Sequence, residues 1–197
     1  MAESMEKLQL ACRTVAQTHG IDRNLVYGEG RWPHPRIMLI GEAPGAQEEQ
    51  QGHPFVGKAG KNLDHFIQVL ALRREDLYIT NTVKFRPIRV SSKGTVSNRT
   101  PTRTECSWFA KILEEEIRLV SPDIIVTLGN TPLAFFTCIP GTIGDVHGQL
   151  LSVTVQDTAF PLFPLYHPAA IIYNRALKTT YEKDLDALRT YRESTMG

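Results

Sequence analysis

The stretch IMLIGEAPG, residues 37–45, begins with a short apolar run and ends in a turn that contains Gly and Pro. The run has the length of a buried strand, and a helical pattern of apolar residues follows at about 58–70. The same order recurs in LYITNTV (77–83), which precedes a polar loop and a helix whose capping box is Thr102-x-x-Glu105. The sequence therefore predicts alternating strands and helices.

Further strands continue this alternation toward the C-terminus. DIIVTLG (123–129) has the pattern of a third buried strand, weaker strands are predicted near 148–155 and 160–165, and a charged helix follows from about residue 178. Alternating strands and helices predict an α/β fold whose mainly parallel sheet is covered by helices on both faces. Residues 88–104 are predicted to form a long polar loop rich in Ser, Thr and Arg.

Unusual segments follow four of the predicted strands, at the edge where ligands bind in parallel sheets. These segments are GEAPG (41–45), Asn81, Gly129-Asn130 and YHPAA (166–170). The first of them opens a 20-residue loop with five glycines and two prolines, GEAPGAQEEQQGHPFVGKAG (41–60). Such a loop is expected to form a rigid pocket, although an ordinary strand-to-helix turn is the alternative.

Length and composition predict one domain, residues 1–197, with 42% hydrophobic residues. No apolar run is long enough for a membrane span and the N-terminal residues lack a secretory pattern, so we expect a cytoplasmic protein without a membrane partner. Three scattered cysteines favour neither a disulfide framework nor a zinc site. A net charge of +1 means that any nucleic-acid surface is local.

Taken together, these motifs resemble family 4 of the uracil-DNA glycosylase superfamily. The resemblance rests on VYGEG (26–30), GEAPG, GHPFVGKAG (52–60), TNTVKFRP (80–87), LGNTP (128–132), GDVHG (144–148) and YHPAA. It implies a three-layer α/β/α sandwich around a four-stranded, mainly parallel sheet. It also implies a monomeric DNA-repair hydrolase that acts in base excision repair, cutting the N-glycosidic bond of uracil and leaving an abasic site.

The resemblance assigns roles to three residues that contact the base. His167 would donate a hydrogen bond to the negative charge that develops on uracil O2, and a neutral imidazole N–H is sufficient for this. Asn81 would pair with the N3–H and O4 edge of a flipped-out uracil, and Phe55 would stack on it. Taken alone, each residue has an ordinary alternative: a buried histidine, a turn asparagine and a core phenylalanine. His147 is a weaker candidate for the catalytic histidine.

Four residues of the first loop complete the predicted site. Glu42 would position the attacking water and face the cationic sugar, and Glu48 would lie near uracil C5 and exclude the methyl group of thymine. Gly41 and Ala43 are expected to bind substrate beside them. Adjacent polar residues at 48–51 are equally typical of a solvated segment.

The chain departs from the family at the iron–sulfur cluster, which four cysteines normally hold. Cys12 and Cys106 match two of those positions, but Val15 and Phe85 replace the other two. Two thiolates cannot hold a four-thiolate cluster, so the sequence predicts no cluster, no metal and no cofactor. A related branch bonds covalently to DNA through a histidine, and residues 84–104 contain none.

Basic residues near the predicted pocket are the expected contacts for DNA phosphates. They are Lys84, Arg86, Arg89, Arg103 and Arg175, with Lys93 and Arg99 as further members, and a solvated mobile loop is the alternative for about half of them. A non-catalytic binder of uracil or mismatches, or a glycosylase that also accepts hypoxanthine or xanthine, remains an alternative function. A mononucleotide-binding protein would need a P-loop or dinucleotide-binding fingerprint, and the sequence has neither.

Overall fold

The computed structural model describes residues 2–168, 170, 174 and 176–195. Its helices are α1 (Ala2–Thr18), α2 (Ala46–Gln51), α3 (Lys58–Val69), α4 (Arg103–Val120), α5 (Asn130–Leu133), α6 (Ile143–Val146) and α7 (Leu177–Thr195). Its strands are β1 (Glu29–Gly30), β2 (Ile37–Gly41), β3 (Leu77–Asn81), β4 (Ile88–Val90), β5 (Val96–Asn98), β6 (Ile124–Leu128), β7 (Leu151–Val155) and β8 (Thr158–Leu165).

Six strands form the main sheet in the order β1-β3-β2-β6-β8-β7. The four central strands are parallel, whereas β1 and β7 pair antiparallel at the two edges. The predicted fold class, an α/β protein with a mainly parallel central sheet, is confirmed. The two edge strands extend the expected four strands to six.

Helices cover both faces of this sheet because its central strands are apolar on both sides. One face packs Leu39 and Ile79 against Leu63 of α3 and Leu185 of α7. The other face packs residues such as Met38 against α4. Alternate residues of one strand therefore enter different cores, and the polar loops are left at the ends of the strands.

Residues 88–98 form a hairpin of β4 and β5 where the sequence predicted a loop. Gly94, at φ +78°, closes its turn by donating from its N–H to the Ser91 carbonyl at 2.9 Å. At its base, the Arg99 guanidinium bonds to the Ile88 carbonyl and to both oxygens of the Glu105 carboxylate. The hairpin is thereby tied to the start of α4, and the Arg99 guanidinium holds the pKa of Glu105 down to about 2.

Within the described ranges, every helix is too short or too polar to cross a lipid bilayer.

Candidate functional site

A cavity of about 490 Å³ opens at the carboxyl ends of β2, β3 and β8. Six of the residues that line it were predicted from the sequence to bind substrate, to react or to contact DNA: Ala43, Glu48, Phe55, Asn81, Arg86 and His167. Ser97 and Asn98 of the hairpin line it as well. The fold thus brings together residues that are separated by more than 120 positions in the chain.

Asn81 ends β3 beside Gly41, the last residue of β2, and is a buried residue with 3% of its surface exposed. A Cβ atom on Gly41 would lie 2.4 Å from Asn81 Oδ1 and 2.7 Å from Phe55 Cζ. Both distances are too short for a carbon contact, so any larger residue would displace the amide or the ring. Gly41 therefore allows Asn81 and Phe55 to meet over the strand end.

Phe55 is held in a left-handed backbone conformation, at φ +55°, that non-glycine residues rarely adopt. The Arg74 guanidinium donates to the carbonyls of Pro54 at 2.8 Å and of Phe55 at 3.3 Å. Gly60 leaves room for this turn, because a Cβ there would lie 2.6 Å from the Phe55 carbonyl oxygen. Sequence reasoning missed Arg74, since it lies on a separate turn and belongs to no motif.

Glu48 fixes the shape of the long first loop from inside. Its buried carboxylate accepts backbone N–H hydrogen bonds from Gly45 at 3.1 Å, Val56 at 3.2 Å and Gly57 at 2.8 Å. It is therefore not part of a solvated segment. The exclusion of thymine by Glu48 stays a prediction, and the three bonds show that the carboxylate also joins two ends of the cavity wall.

His167 lies two residues beyond the end of β8, next to Gly129. Gly129 is at φ +87°, and a Cβ on it would meet His167 Cβ at 3.2 Å. Burial lowers the pKa of His167 from its usual value, with the Glu42 carboxylate opposing this shift. The imidazole is accordingly neutral near pH 7, the form in which one ring nitrogen carries a hydrogen and the other does not.

Glu42 is not among the residues that line the cavity, and it is held by a residue that sequence reasoning missed. Thr131 donates its hydroxyl hydrogen to Glu42 Oε2 at 2.6 Å. Thr131 belongs to the LGNTP segment, so its motif was a signal that could have identified it. This bond orients the Glu42 carboxylate.

His147 occupies a different place from the one expected of a catalytic histidine. Its Nδ1 lies 2.8 Å from Asp184 Oδ2 on α7, and its ring packs on Tyr166 with the centroids 4.7 Å apart. Gly148 permits this pair, because a Cβ there would lie 2.3 Å from Asp184 Oδ1. The pair joins α7 to the residue before His167.

The prediction that Lys84 contacts DNA is wrong. Its side chain is 1% exposed and lies beneath the cavity, where Nζ forms an ion pair with Glu116 Oε2 at 2.7 Å. Nζ also donates to Thr80 Oγ1 at 2.6 Å and to the Asn81 carbonyl at 2.8 Å. Three bonds from a buried ammonium leave no donor for a phosphate group.

The other predicted DNA contacts are placed differently. Arg86 lies at the cavity wall, where it bonds to Asn98 Oδ1 at 2.7 Å and to Glu49 Oε2 at 3.2 Å. Arg89 and Arg103 are exposed, and Arg175 lies outside the described residues. Arg99 bonds to both carboxylate oxygens of Glu105, so its guanidinium holds the hairpin to the start of α4.

The four positions that hold a cluster in the family meet in one apolar core between α1 and α4. Cys12 and Phe85 are buried there, and Val15 and Cys106 pack against the same core. The Phe85 ring lies against Phe109, with the centroids 6.0 Å apart. Burial raises the pKa of Cys12 to about 11, which keeps it a protonated thiol. These residues do not fit an iron–sulfur cluster.

Elsewhere in the described part of the chain, no group of three or more His, Cys, Asp or Glu side chains is arranged to hold a metal ion.

Comparisons with known proteins place this geometry in a family. The Uracil DNA glycosylase superfamily profile matches residues 27–189. A type-4 uracil-DNA glycosylase of Sulfurisphaera tokodaii is 35% identical over 195 residues, covering 95% of this chain and 84% of that protein. The type-4 enzyme of Thermotoga maritima is 34% identical over 187 residues, covering 90% of this chain and 88% of that protein.

A solved structure supports the same fold. The crystal structure of Pedobacter heparinus SMUG2 matches with a TM-score of 0.55 at 14% identity, covering 81% of this chain and 77% of that chain. At this identity the likeness shows the fold alone. The family match extends over most of the chain and includes every strand of the main sheet and every predicted reacting residue. The chain therefore belongs to the uracil-DNA glycosylase superfamily.

Proposed function

We propose that this protein hydrolyses the N-glycosidic bond of uracil in DNA and leaves an abasic site. The observation that carries the proposal is the meeting of Asn81, Phe55 and His167 at one cavity. Its volume of about 490 Å³ lies within the usual range for small-ligand sites, roughly 300–1,000 Å³, and suits a base extruded from the duplex.

Base recognition would use Asn81 and Phe55. The Asn81 amide carries both a donor and an acceptor, which matches O4 and N3–H of uracil but not the reversed pattern of cytosine. Its burial excludes water, so a mismatched base would leave a polar group without a partner. Arg74 and Gly41 support this role by fixing the Phe55 turn and the Asn81 amide. Glu48 and Ala43 would shape the wall beside the base.

Bond cleavage leaves a cation-like sugar and a departing uracil anion. His167, neutral because burial lowers its pKa, would donate an N–H to uracil O2 as negative charge develops there. Glu42, oriented by Thr131, would hold the attacking water and stabilise the positive sugar. His167 and Glu42 would both act through hydrogen bonding or charge, and cleavage of the glycosidic bond by water needs no redox reaction.

Phosphate contacts would come from Arg86 at the cavity wall, from the exposed side chains of Arg89 and Arg103, and from Arg175. We further propose that residues 1–197 form one domain, that the protein acts as a cytoplasmic monomer and that it carries no iron–sulfur cluster. The cluster proposal is supported by the apolar core in which Val15 and Phe85 pack together with the two remaining cysteines.

Uracil release is expected to continue in EDTA, because polar side chains rather than a metal support the departing anion. Labelled oligonucleotides containing U:G, U:A, T:G, hypoxanthine or single-stranded uracil would be incubated with the protein and then treated with alkali to reveal abasic sites. The same preparation should contain no stoichiometric iron. Activity that needs added metal, or uracil-specific binding without cleavage, would contradict the proposal.

Asn81→Asp is expected to weaken uracil cleavage and to admit cytosine. A carboxylate cannot donate to O4, but it can accept from the exocyclic amine of cytosine. Loss of one good base contact corresponds to about 1–3 kcal/mol, or roughly 5-fold to 150-fold in kcat/KM. Asn81→Ala is the matched comparison, since it should lose uracil without gaining cytosine. Unchanged uracil turnover in both variants would remove Asn81 from base recognition.

A further inference from the structure

The GDVHG segment (144–148) is a motif to which the proposed reaction gives no role. Its His147 follows α6, and the Nδ1 atom of His147 lies 2.8 Å from Asp184 Oδ2 on α7. An ionised carboxylate only accepts hydrogen bonds, so Nδ1 carries the hydrogen and donates it. The two side chains are 25% and 9% exposed, whereas those of the His65–Glu182 pair on the same helix are 45% and 36% exposed. The His147–Asp184 pair is therefore an internal contact.

A glycine and two backbone hydrogen bonds fix this pair in place. Gly148 is at φ +68°, and a Cβ on it would lie 2.3 Å from Asp184 Oδ1, so only glycine leaves room for the carboxylate. The Gly148 N–H donates to the Pro164 carbonyl of β8 at 2.9 Å. The His147 N–H donates to the Ile143 carbonyl of α6 at 3.0 Å. The imidazole is thereby held between α6, α7 and the end of β8.

Tyr166 connects this pair to the histidine at the cavity. The pairing of β6 with β8 ends at Leu165, so Tyr166 and His167 lie beyond the last paired residue of β8. The His147 ring packs on the Tyr166 ring, with the centroids 4.7 Å apart and the planes at 37°. Tyr166 also packs against the apolar cores on both faces of the sheet. The ring contact therefore supports the residue directly before His167.

Such support matters because the proposed role of His167 is to donate an N–H to a single atom, uracil O2. Hydrogen bonds weaken steeply as their geometry worsens, and a displacement of about 1 Å can cost roughly 10²-fold in rate. One support of His167 is Gly129, where a Cβ would lie 3.2 Å from His167 Cβ. The Tyr166 contact is a second support, and it depends on the His147–Asp184 pair.

We propose that His147 and Asp184 are positioning residues, which hold Tyr166 and thereby aim the His167 imidazole at uracil O2. The inference rests on the proposed function and adds to it the residues that orient the hydrogen-bond donor. Neither His147 nor Asp184 lines the cavity, so both act through His167. Their loss slows cleavage of the glycosidic bond and leaves the affinity for DNA unchanged.

The first test is His147→Ala, with uracil release from a U:G duplex measured under single-turnover conditions. The rate should fall by about tenfold, while the affinity for the product duplex with an abasic site stays within about twofold of the wild-type value. Asp184→Asn keeps an oxygen that accepts from His147 and should lose less. His65→Ala is the matched control, because it removes another histidine–carboxylate contact to α7 and should retain the full rate.

A double-variant cycle separates positioning from a purely structural role. In a His167→Ala protein the donor is already absent, so adding His147→Ala should lower the remaining rate by less than about twofold. An unchanged rate in His147→Ala, or the same loss with and without His167, would overturn this inference alone. So would a loss that His65→Ala shares or that appears equally in DNA affinity. A wild type that releases no uracil would overturn the proposed function and the inference together.

Discussion

Replacing His167 with alanine is expected to lower the single-turnover rate of uracil release by roughly 10²–10³-fold, the usual effect of removing one donor that supports a developing anion. DNA affinity should change little, because the lost bond matters most when negative charge collects on the base. The measurement is rapid-quench cleavage of a uracil duplex at saturating protein, with the dissociation constant determined separately. Equal losses in binding and cleavage would indicate a structural role.

Two controls sharpen this expectation. His167→Gln keeps an N–H donor and should retain more activity than His167→Ala, whereas His65→Ala removes an exposed histidine that pairs with Glu182 and should retain full activity. The pH profile is a further check. Since burial lowers the pKa of His167, the neutral form predominates at pH 7 and above, so activity should not decline as the pH rises from 7 to 8. A steep decline there would mean that the imidazolium is the active form.

Sequence patterns predicted the central sheet because three of its four central strands are short and mostly apolar. IMLIG, LYITN and IIVTL are buried at every position, which is typical of parallel strands covered on both faces. Once these strands were located, the polar residues at their ends were placed at one edge of the sheet. The position of Asn81 and His167 at a common cavity followed from this rule.

Contacts between distant segments could not be predicted in the same way. Lys84 follows a strand end in a basic segment, so its charge suggested an exposed phosphate contact. Its burial depends on Glu116, which lies 32 residues away on α4. The support of Phe55 by Arg74 and of Glu42 by Thr131 likewise joins separate elements. Local patterns specify which face of an element is apolar, but they do not specify which polar partners meet.

The hairpin shows a second limit of local patterns. Residues 88–104 are rich in Ser, Thr and Arg, a composition typical of a loop. The pairing of β4 with β5 depends on the turn at Gly94 and on Arg99, whose partner Glu105 was recognised from the sequence only as a helix cap. The Glu105 side chain therefore takes part in both the capping box and the base of the hairpin, whereas the sequence motif indicates only the first of these roles.

The buried Lys84–Glu116 pair lies directly under Asn81 and is the contact whose loss should cost the protein the most stability. Besides the ion pair, Glu116 accepts hydrogen bonds from the hydroxyl groups of Tyr78 at 2.9 Å and Thr80 at 3.1 Å. Burial and the nearby Glu116 carboxylate raise the pKa of Tyr78, so its hydroxyl remains a donor. The network joins α4 to the end of β3.

Glu116→Ala is expected to lower the free energy of unfolding by about 3–5 kcal/mol, because it leaves the Lys84 ammonium buried without a counter-charge. For a chain of this length, that corresponds to a fall of about 6–20 °C in Tm. Glu115→Ala is the matched control: Glu115 is the neighbouring residue of α4 and pairs with Arg118 at the surface, so its loss should cost less than about 1 kcal/mol.

Lys84→Met/Glu116→Leu should recover part of the stability, since it removes both charges together. Thermal and urea unfolding measure these values, and near-equal stability of Glu116→Ala and the wild type would show that Lys84 is reached by water. Because Lys84 Nζ also donates to the Asn81 carbonyl, the double variant should discriminate uracil from cytosine less well than the wild type even where it is fully folded.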